Sequence, residues 1–463
     1  MVVQHNLRAM NSNRMLGITQ GTLSKSAEKL SSGYKVNRAA DDAAGLSISE
    51  KMRKQIRGLT QASLNAEDGI SSVQTAEGAL TEVHDMLQRM NELATKAANG
   101  TNSVSDRATI QDEVSQLLTE IDRVAETTKF NETYLLKGDK DTKTVSVKAH
   151  DAGIDGRLTQ NATQATFVMK ELKLGDTIKI GGTEYTIGST QANVKDVITN
   201  AIAGEVVTID GETYEIASAT NEDKRQLTIN DAKDLISDSS EVIYKGKTHV
   251  AIKTGTTALA ADTTAATDTN RPLVISKAEA YAKINDQLKV ASSVGATTNA
   301  TMGTAPTAAT NGEVTFSVAT LATVERKEGM TFSLHVGADA DMTNKISVQI
   351  DALDTAGLGI KGLNVKDYSG ASATYAIDAI GDAISKVSAQ RSLLGAVQNR
   401  LEHTINNLDN VVENTTSAES TIRDTDMATE MVKYSNSNIL SQAGQSMLAQ
   451  SNQANQGVLS LLG

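Results

Sequence analysis

A chain of 463 residues with a formal net charge of −12 lacks the basic face expected of a nucleic-acid-binding protein. It contains no Cys, which excludes disulfides, Cys-ligated zinc and thiol catalysis. Aromatic residues make up only 3%, with no Trp and four Phe, so any core must be built from Leu, Ile, Val, Ala and Met; that composition suits an elongated helical protein better than a compact enzyme.

The opening residues, Met-Val-Val-Gln-His-Asn-Leu-Arg-Ala-Met, carry no continuous apolar run followed by a small-residue cleavage site, so export by a route that reads no such signal is expected. Nor is any stretch long and apolar enough to cross a bilayer. Ala9, Leu16, Leu23 and Leu30 recur every seven residues along a mildly basic arm whose only acid before Asp41 is Glu28. Asp41 and Asp42 suit the start of a shorter helix carrying Ile48, Met52 and Ile56.

An αα-hairpin is predicted from about residue 63 to 127. Its first helix carries the heptad row Val73, Leu80, Leu87 and Ala94, and its second carries Ile110, Val114, Leu117, Ile121 and Val124. Asn99-Gly100 is the stop between them, and Ser105 or Asp106 is the expected cap of the second helix.

The composition then changes. Residues 139–370 are rich in Thr, Gly, Asp and Val, hold both prolines (Pro272 and Pro306), and read as a β-rich insert. Gly-Gly-Thr-Glu-Tyr-Thr-Ile at 181–187 resembles Asp-Gly-Glu-Thr-Tyr-Glu-Ile at 210–216, with a looser copy at 244–250. Each is a Gly-containing turn followed by an alternating strand, the signature of a β-hairpin. Val314–Val348 reads as strand-rich, and 254–271 and 292–312 as Ala/Thr/Gly loops. An insert whose ends return to one place projects outward from its host.

From 371 the helical pattern returns. Ile377, Ile384, Arg391, Gln398, Ile405 and Val412 form one heptad row, and Ile380, Val387, Leu394, Leu401, Leu408 and Thr415 form another. Together they make an a/d seam on a helix about 70 Å long. Arg391 and Gln398 are expected to reach to the edge of that seam. At the end of the chain Leu440, Met447, Ala454 and Leu461 are again spaced by seven, and no charged side chain follows Lys433. A helix without charge on any face packs against several neighbours. A seam this thin scarcely offsets the entropy of ordering the backbone, so both arms are expected to be marginal alone and to become helical in a polymer. A membrane-surface helix would instead show Lys or Arg over bulky aromatics, and the only aromatic after residue 420 is Tyr434.

Two segments carry a resemblance to a known family. LSSGYKVNRAADDAAGLSISEKMRKQIRG (30–58) resembles the N-terminal signature of bacterial flagellins, and AESTIRDTDMATEMVKYSNSNILSQAGQSMLAQSNQANQGVLSLLG (418–463) resembles their C-terminal signature. Residues 87–131 are similar as well, so about 138 residues at the front and 93 at the back are covered. The implied fold is α+β, mainly α: a coiled-coil stem from both termini with a β-rich insert. The implied parts are an N-terminal arm (1–40), a helical hairpin region (41–138), an outer insert (139–370), a long helix (371–417) and a C-terminal arm (418–463).

The resemblance implies an extracellular structural subunit, exported unfolded, that polymerises into the flagellar filament. Leu16, Leu23, Leu30, Leu440, Met447 and Leu461 would mark the polymerising arms, and Ile380, Val387, Leu394, Leu401 and Leu408 the seam of the helical domain. Implied partners are other copies, the hook-junction and cap proteins, and an export chaperone. The animal Toll-like flagellin receptor is a further implied partner, met through Arg89, Leu93 and Glu113; without it, Arg89–Glu113 is a plain interhelix ion pair. The alternative is a hook–filament junction protein or minor filament protein of the same system. His5, His84, His150, His249, His335 and His403 form no His-Glu-x-x-His motif, so neither catalysis nor a metal or other cofactor is expected.

Overall fold

The computed structural model describes residues 6–139, 141–221, 224–254, 257–258, 266–268, 271–306, 312–367 and 370–460. Its helices are α1 (Leu7–Ser32), α2 (Ala43–Ala98), α3 (Val104–Thr127), α4 (Gln191–Val197), α5 (Ile229–Leu235), α6 (Lys277–Ala291), α7 (Thr355–Leu358), α8 (Ala371–Arg423) and α9 (Met427–Ser460). The chain divides into two compact units. One comprises residues 1–71, 333–348 and 397–463; the other comprises 72–332 and 349–396.

In the first unit, α2 begins after Asp42, whose side chain accepts a 2.8 Å hydrogen bond from the Gly45 N–H. The helix expected over Ile48–Ile56 is thus the start of α2 itself, which continues unbroken to Ala98. Two glycines inside it mark a close approach. A Cβ on Gly58 would lie 3.0 Å from the Ala338 Cβ, and one on Gly69 would collide with Leu334. Leu334 belongs to strand Met330–His335, and Ala338 to the segment that joins it to strand Lys345–Ile350. Within the unit, Val336 and Ile346 share a small core with Ala66 of α2 and Leu401 of α8. The Asn65 amide holds the same segment through the His335 carbonyl at 3.0 Å. Part of the insert therefore packs on the long helices, because two glycines leave room for it.

The second unit holds the helical hairpin. Val73, Leu80, Leu87 and Ala94 are fully buried, as are Val114 and Ile121, with Ile110 nearly so. The cap of α3 is Ser103, two or three residues before the expected position. Its hydroxyl accepts from the Asp106 N–H at 3.1 Å while the Asp106 carboxylate accepts from the Ser103 N–H at 2.9 Å. That is a reciprocal capping box with Asp in the place of Glu. On α8, Ile380, Val387, Leu394 and Leu401 are inaccessible and Leu408 is nearly so. Arg391 reaches Glu77 of α2 at 3.8 Å from the edge of the seam, and the Gln398 amide turns aside to Glu402 on its own helix.

All three copies of the insert motif are two-residue hairpins. Thr177–Ile180 pairs with Thr183–Gly188, Val206–Ile209 with Glu212–Ile216, and Glu241–Tyr244 with Lys247–Val250. The turns Gly181-Gly182, Asp210-Gly211 and Lys245-Gly246 have positive φ at both residues, as the twist-matched turn of a hairpin requires.

The insert also contains helices that alternation alone does not announce. α6 buries Ala280, Tyr281, Ile284, Leu288 and Ala291, and the Tyr281 ring stands edge-on to Phe316 at 5.9 Å. The helices are traded between hairpins. α6 follows the third hairpin in sequence yet packs on the first, where its leading strand Val274–Ser276 runs parallel to Thr183–Gly188. α4 follows the first hairpin, and its Val194 and Ile198 fill the core beneath the second and third. The expected loops are partly strands: Lys253–Thr254 pairs with Thr257–Ala258, and Thr301–Met302 joins the edge of Glu313–Thr320.

Candidate self-association surface

Helices α1 and α9 lie antiparallel. The Asn6 side chain meets the Ser451 carbonyl at 3.4 Å near one end of the pair, and Ser26 meets Glu430 at 2.6 Å near the other. Between them, a Cβ on Gly444 would sit 3.3 Å from Leu16 Cδ1. The α9 residues that turn inward are Glu430, Tyr434, Ser437, Ser441, Gly444 and Leu448, spaced by threes and fours, and such spacing keeps them on one helical face. The small residues among them, Ser437, Ser441 and Gly444, let α1 come close. Leu16, Leu23 and Leu30 are half-buried along the facing side of α1.

The side chains fully buried in this pair, among the described residues of the two helices, are Ser26, Glu430, Ser437 and Ser441. All four are polar. With no fully buried aliphatic residue the pair gains little from apolar burial, since each such side chain would contribute about 1.5–3 kcal/mol. The apolar residues instead face out. Leu440 is 61% exposed and Met447 59%, next to Ile439 at 62% and Val432 at 61%. Leu7, Met10, Met15 and Ile18 are likewise exposed on α1. The row Leu440–Met447 is therefore not the seam between the arms, which runs one residue further along through Ser441 and Leu448. Leu461, expected to continue that row, lies outside the described residues.

Ser26 donates its hydroxyl hydrogen bond to the Glu430 carboxylate. That bond lowers the Glu430 pKa below its ordinary value against the opposing effect of burial, with Lys433 at 3.3 Å adding to it. Where the arm pair meets the long helices, the backbone closes a short clasp. Tyr34 bridges Asp424, the Lys35 N–H donates to the Arg423 carbonyl at 2.7 Å, and the Thr425 N–H donates to Gly33 at 3.0 Å. The Arg423 guanidinium covers the Tyr34 ring and bonds Glu50 at 2.8 Å. The clasp was not foreseen from the sequence, although the left-handed Gly33 that ends α1 was a readable stop signal.

The other candidate residues lie on the α2–α3 hairpin. Arg89 bonds Glu113 at 2.9 Å and Glu92 at 3.0 Å, and about half of its side chain is exposed. Leu93 is 3% exposed and forms part of the floor of a cleft of about 450 Å³ whose rim carries Arg89 and Glu113. Arg89 and Glu113 are brought together at the surface, while Leu93 supports them from beneath. His84, His150, His249, His335 and His403 are dispersed, and no group of three metal-ligating side chains occurs among the described residues. Among the same residues no helix is long and apolar enough to cross a membrane.

Residues 3–141 match the family model described as the bacterial flagellin N-terminal helical region, and 377–462 match the flagellin C-terminal helical region. A flagellin of Clostridium tyrobutyricum is 38% identical over 460 residues, covering 98% of this chain and all of that protein. Flagellins of Halalkalibacterium halodurans and Bacillus subtilis are each 32% identical, over 462 and 464 residues, with both chains covered in full. The similarity therefore runs through the insert as well as the two helical ends.

Proposed function

The chain belongs to the bacterial flagellin family, and on that premise we propose how its parts divide the work of building a filament. It is a structural subunit that polymerises with copies of itself into the flagellar filament. The α1–α9 pair makes the inner contacts of the polymer, with Leu440, Met447 and their outward neighbours meeting adjacent subunits. The observation that carries this reading is the inversion of the pair: polar side chains are buried between the two helices and apolar side chains are exposed outside. An isolated two-helix pair with that pattern leaves its apolar surface in water, and contiguous exposed apolar surface marks an association site. Leu16, Leu23 and Leu30 set the spacing of the pair, and Ile380, Val387, Leu394, Leu401 and Leu408 hold the long helices together. Residues 139–370 form the outer part of the subunit, apart from the segment 333–348 that packs on the long helices.

Seeded growth tests this. Purified monomer added to filament fragments elongates them, whereas a chain lacking residues 1–37 and 434–463 does not. Elongation by the truncated chain would overturn the role given to the arms.

Arms in which no aliphatic side chain is fully buried also suit passage of an unfolded chain through the flagellar export channel, and capture of the uncharged stretch after Lys433 by a chaperone beforehand. Hook-junction and cap proteins would meet the two ends of the polymer through the same outward apolar faces. The Arg89–Glu113 rim is the surface offered to the animal Toll-like flagellin receptor, with Leu93 shaping it from below. Family membership makes the chain a structural protein, and no catalytic role is assigned to any residue.

A further inference from the structure

We propose that the insert carries an oxyanion-binding cleft formed by Arg326, Lys386 and Lys148, which takes a phosphate-class anion either free or on a small organic carrier. The cleft has a volume of about 340 Å³ and lies between strand Thr323–Lys327, the end of α7 and one face of α8.

Its charges do not cancel. Asp382 is the one carboxylate on the wall, and Lys148 occupies it at 2.9 Å. The Lys386 ammonium lies against the end of α7 and donates to the carbonyls of Gly357 at 3.3 Å and Leu358 at 2.9 Å. Arg326 shares its strand face with buried Val324, so it too is directed at the cleft. Among the described residues Arg326 forms no ion pair or hydrogen bond through its guanidinium, and it stands close enough to Lys386 to repel it. Loss of water and the nearby guanidinium both lower the Lys386 pKa. Burial likewise lowers the pKa of His150, on the same wall, which leaves that ring the neutral member.

Two cations that share a single lining acid, itself already paired with Lys148, are costly to hold together unless an anion joins them. A guanidinium fork and an ammonium converging on one space are the donor set that recognises phosphate or sulfate. The volume is at the small end for ligand clefts, enough for such a group with its waters or with a single sugar. Lys386 alone has a structural explanation in its bonds to α7. Arg326 has none, and the proposal rests on it.

Calorimetric titration of the full-length monomer at constant ionic strength tests the site, using sulfate, inorganic phosphate and glucose 6-phosphate against chloride. Saturable binding of the oxyanions is expected, with Arg326→Gln weakening it at least tenfold, Arg326→Lys retaining part of it, and Lys289→Gln, away from the cleft, leaving it unchanged. Preference for the sugar phosphate would assign the carrier, and equal binding would assign the free ion. Without added oxyanion, Arg326→Gln should melt no lower than the parent, because it relieves the repulsion. Binding no stronger than chloride in the parent, or equal binding in the parent and Arg326→Gln, would overturn the proposal. Should Arg326→Gln fail to fold, undiminished binding by Arg326→Lys would do the same.

Discussion

Ser26 on α1 donates a 2.6 Å hydrogen bond to Glu430 on α9, joining residues 404 positions apart in sequence. Because Ser26, more than any other group, lowers the Glu430 pKa, the carboxylate form is favoured when the arms are paired. A carboxyl whose pKa is lower in the paired state adds stability at pH values above its unpaired pKa and loses it as pH falls through the paired value. Arm pairing should therefore weaken as pH drops below about 4.5. Glu430→Gln should blunt that dependence while weakening the pair at neutral pH. Far-ultraviolet circular dichroism against pH, on parent and variant, reads both effects; an unchanged acid transition in the variant would assign it to other carboxylates.

The polar seam of the arms sets their dynamics. With Ser26, Glu430, Ser437 and Ser441 as its fully buried side chains, the pair should open readily in the monomer. Amides of α1 and α9 should exchange with solvent orders of magnitude faster than those around Leu80 and Leu394, and become protected on polymerisation. Equal protection of arms and long helices in the monomer would show that the arms are already stable.

Arg89 and Leu93 separate surface from support. The Arg89–Glu113 pair is about half exposed, so Arg89→Ala should leave stability nearly unchanged and yet reduce the response of receptor-bearing cells. Leu93→Ala, at a buried position, should cost about 2–5 kcal/mol, measured by denaturant unfolding. A large stability loss from Arg89→Ala, with no change in receptor response, would leave it as a structural pair.

Gly295 stands where no other residue fits. Its φ is +74°, and a Cβ there would collide with the backbone carbonyl of Gly359, which cannot rotate away as a side chain can. Gly295→Ala should destabilise the insert by about 2–4 kcal/mol through strain and displaced backbone, visible as a lowered thermal midpoint. An unchanged midpoint would mean that the two segments separate freely.

What could be read from the sequence followed the range of the interactions involved. The seam through Ile380, Val387 and Leu394 repeats within one helix, and the hairpin turns at Gly181-Gly182 and Asp210-Gly211 are set by two residues each, so both were legible. α6 carried a readable signal, since Ser276 three residues before Glu279 and apolar residues at 281, 284 and 288 mark a capped helix, but the strand-rich composition around it masked that pattern. α4 and α5, of seven residues each, are too short for periodicity. The packing of Leu334 over Gly69, the exchange of α4 and α6 between hairpins, and the outward turn of Leu440 depend on contacts between distant segments, which no local pattern encodes. Gly58 and Gly69 were a hint, since glycine weakens a helix interior and is often kept there for close approach, but Gly78 of the same helix, with open space around it, carries the same signal without such a contact.

The central claim is that the apolar faces outside the α1–α9 pair, rather than the seam within it, drive assembly. Seeded elongation by a Leu440→Asp, Met447→Asp chain tests it most directly. Both residues are exposed in the subunit, so the variant should match the parent in helix content and thermal midpoint and yet fail to extend filament fragments under negative stain. Growth of full-length filaments by that variant at the parental rate would contradict the account.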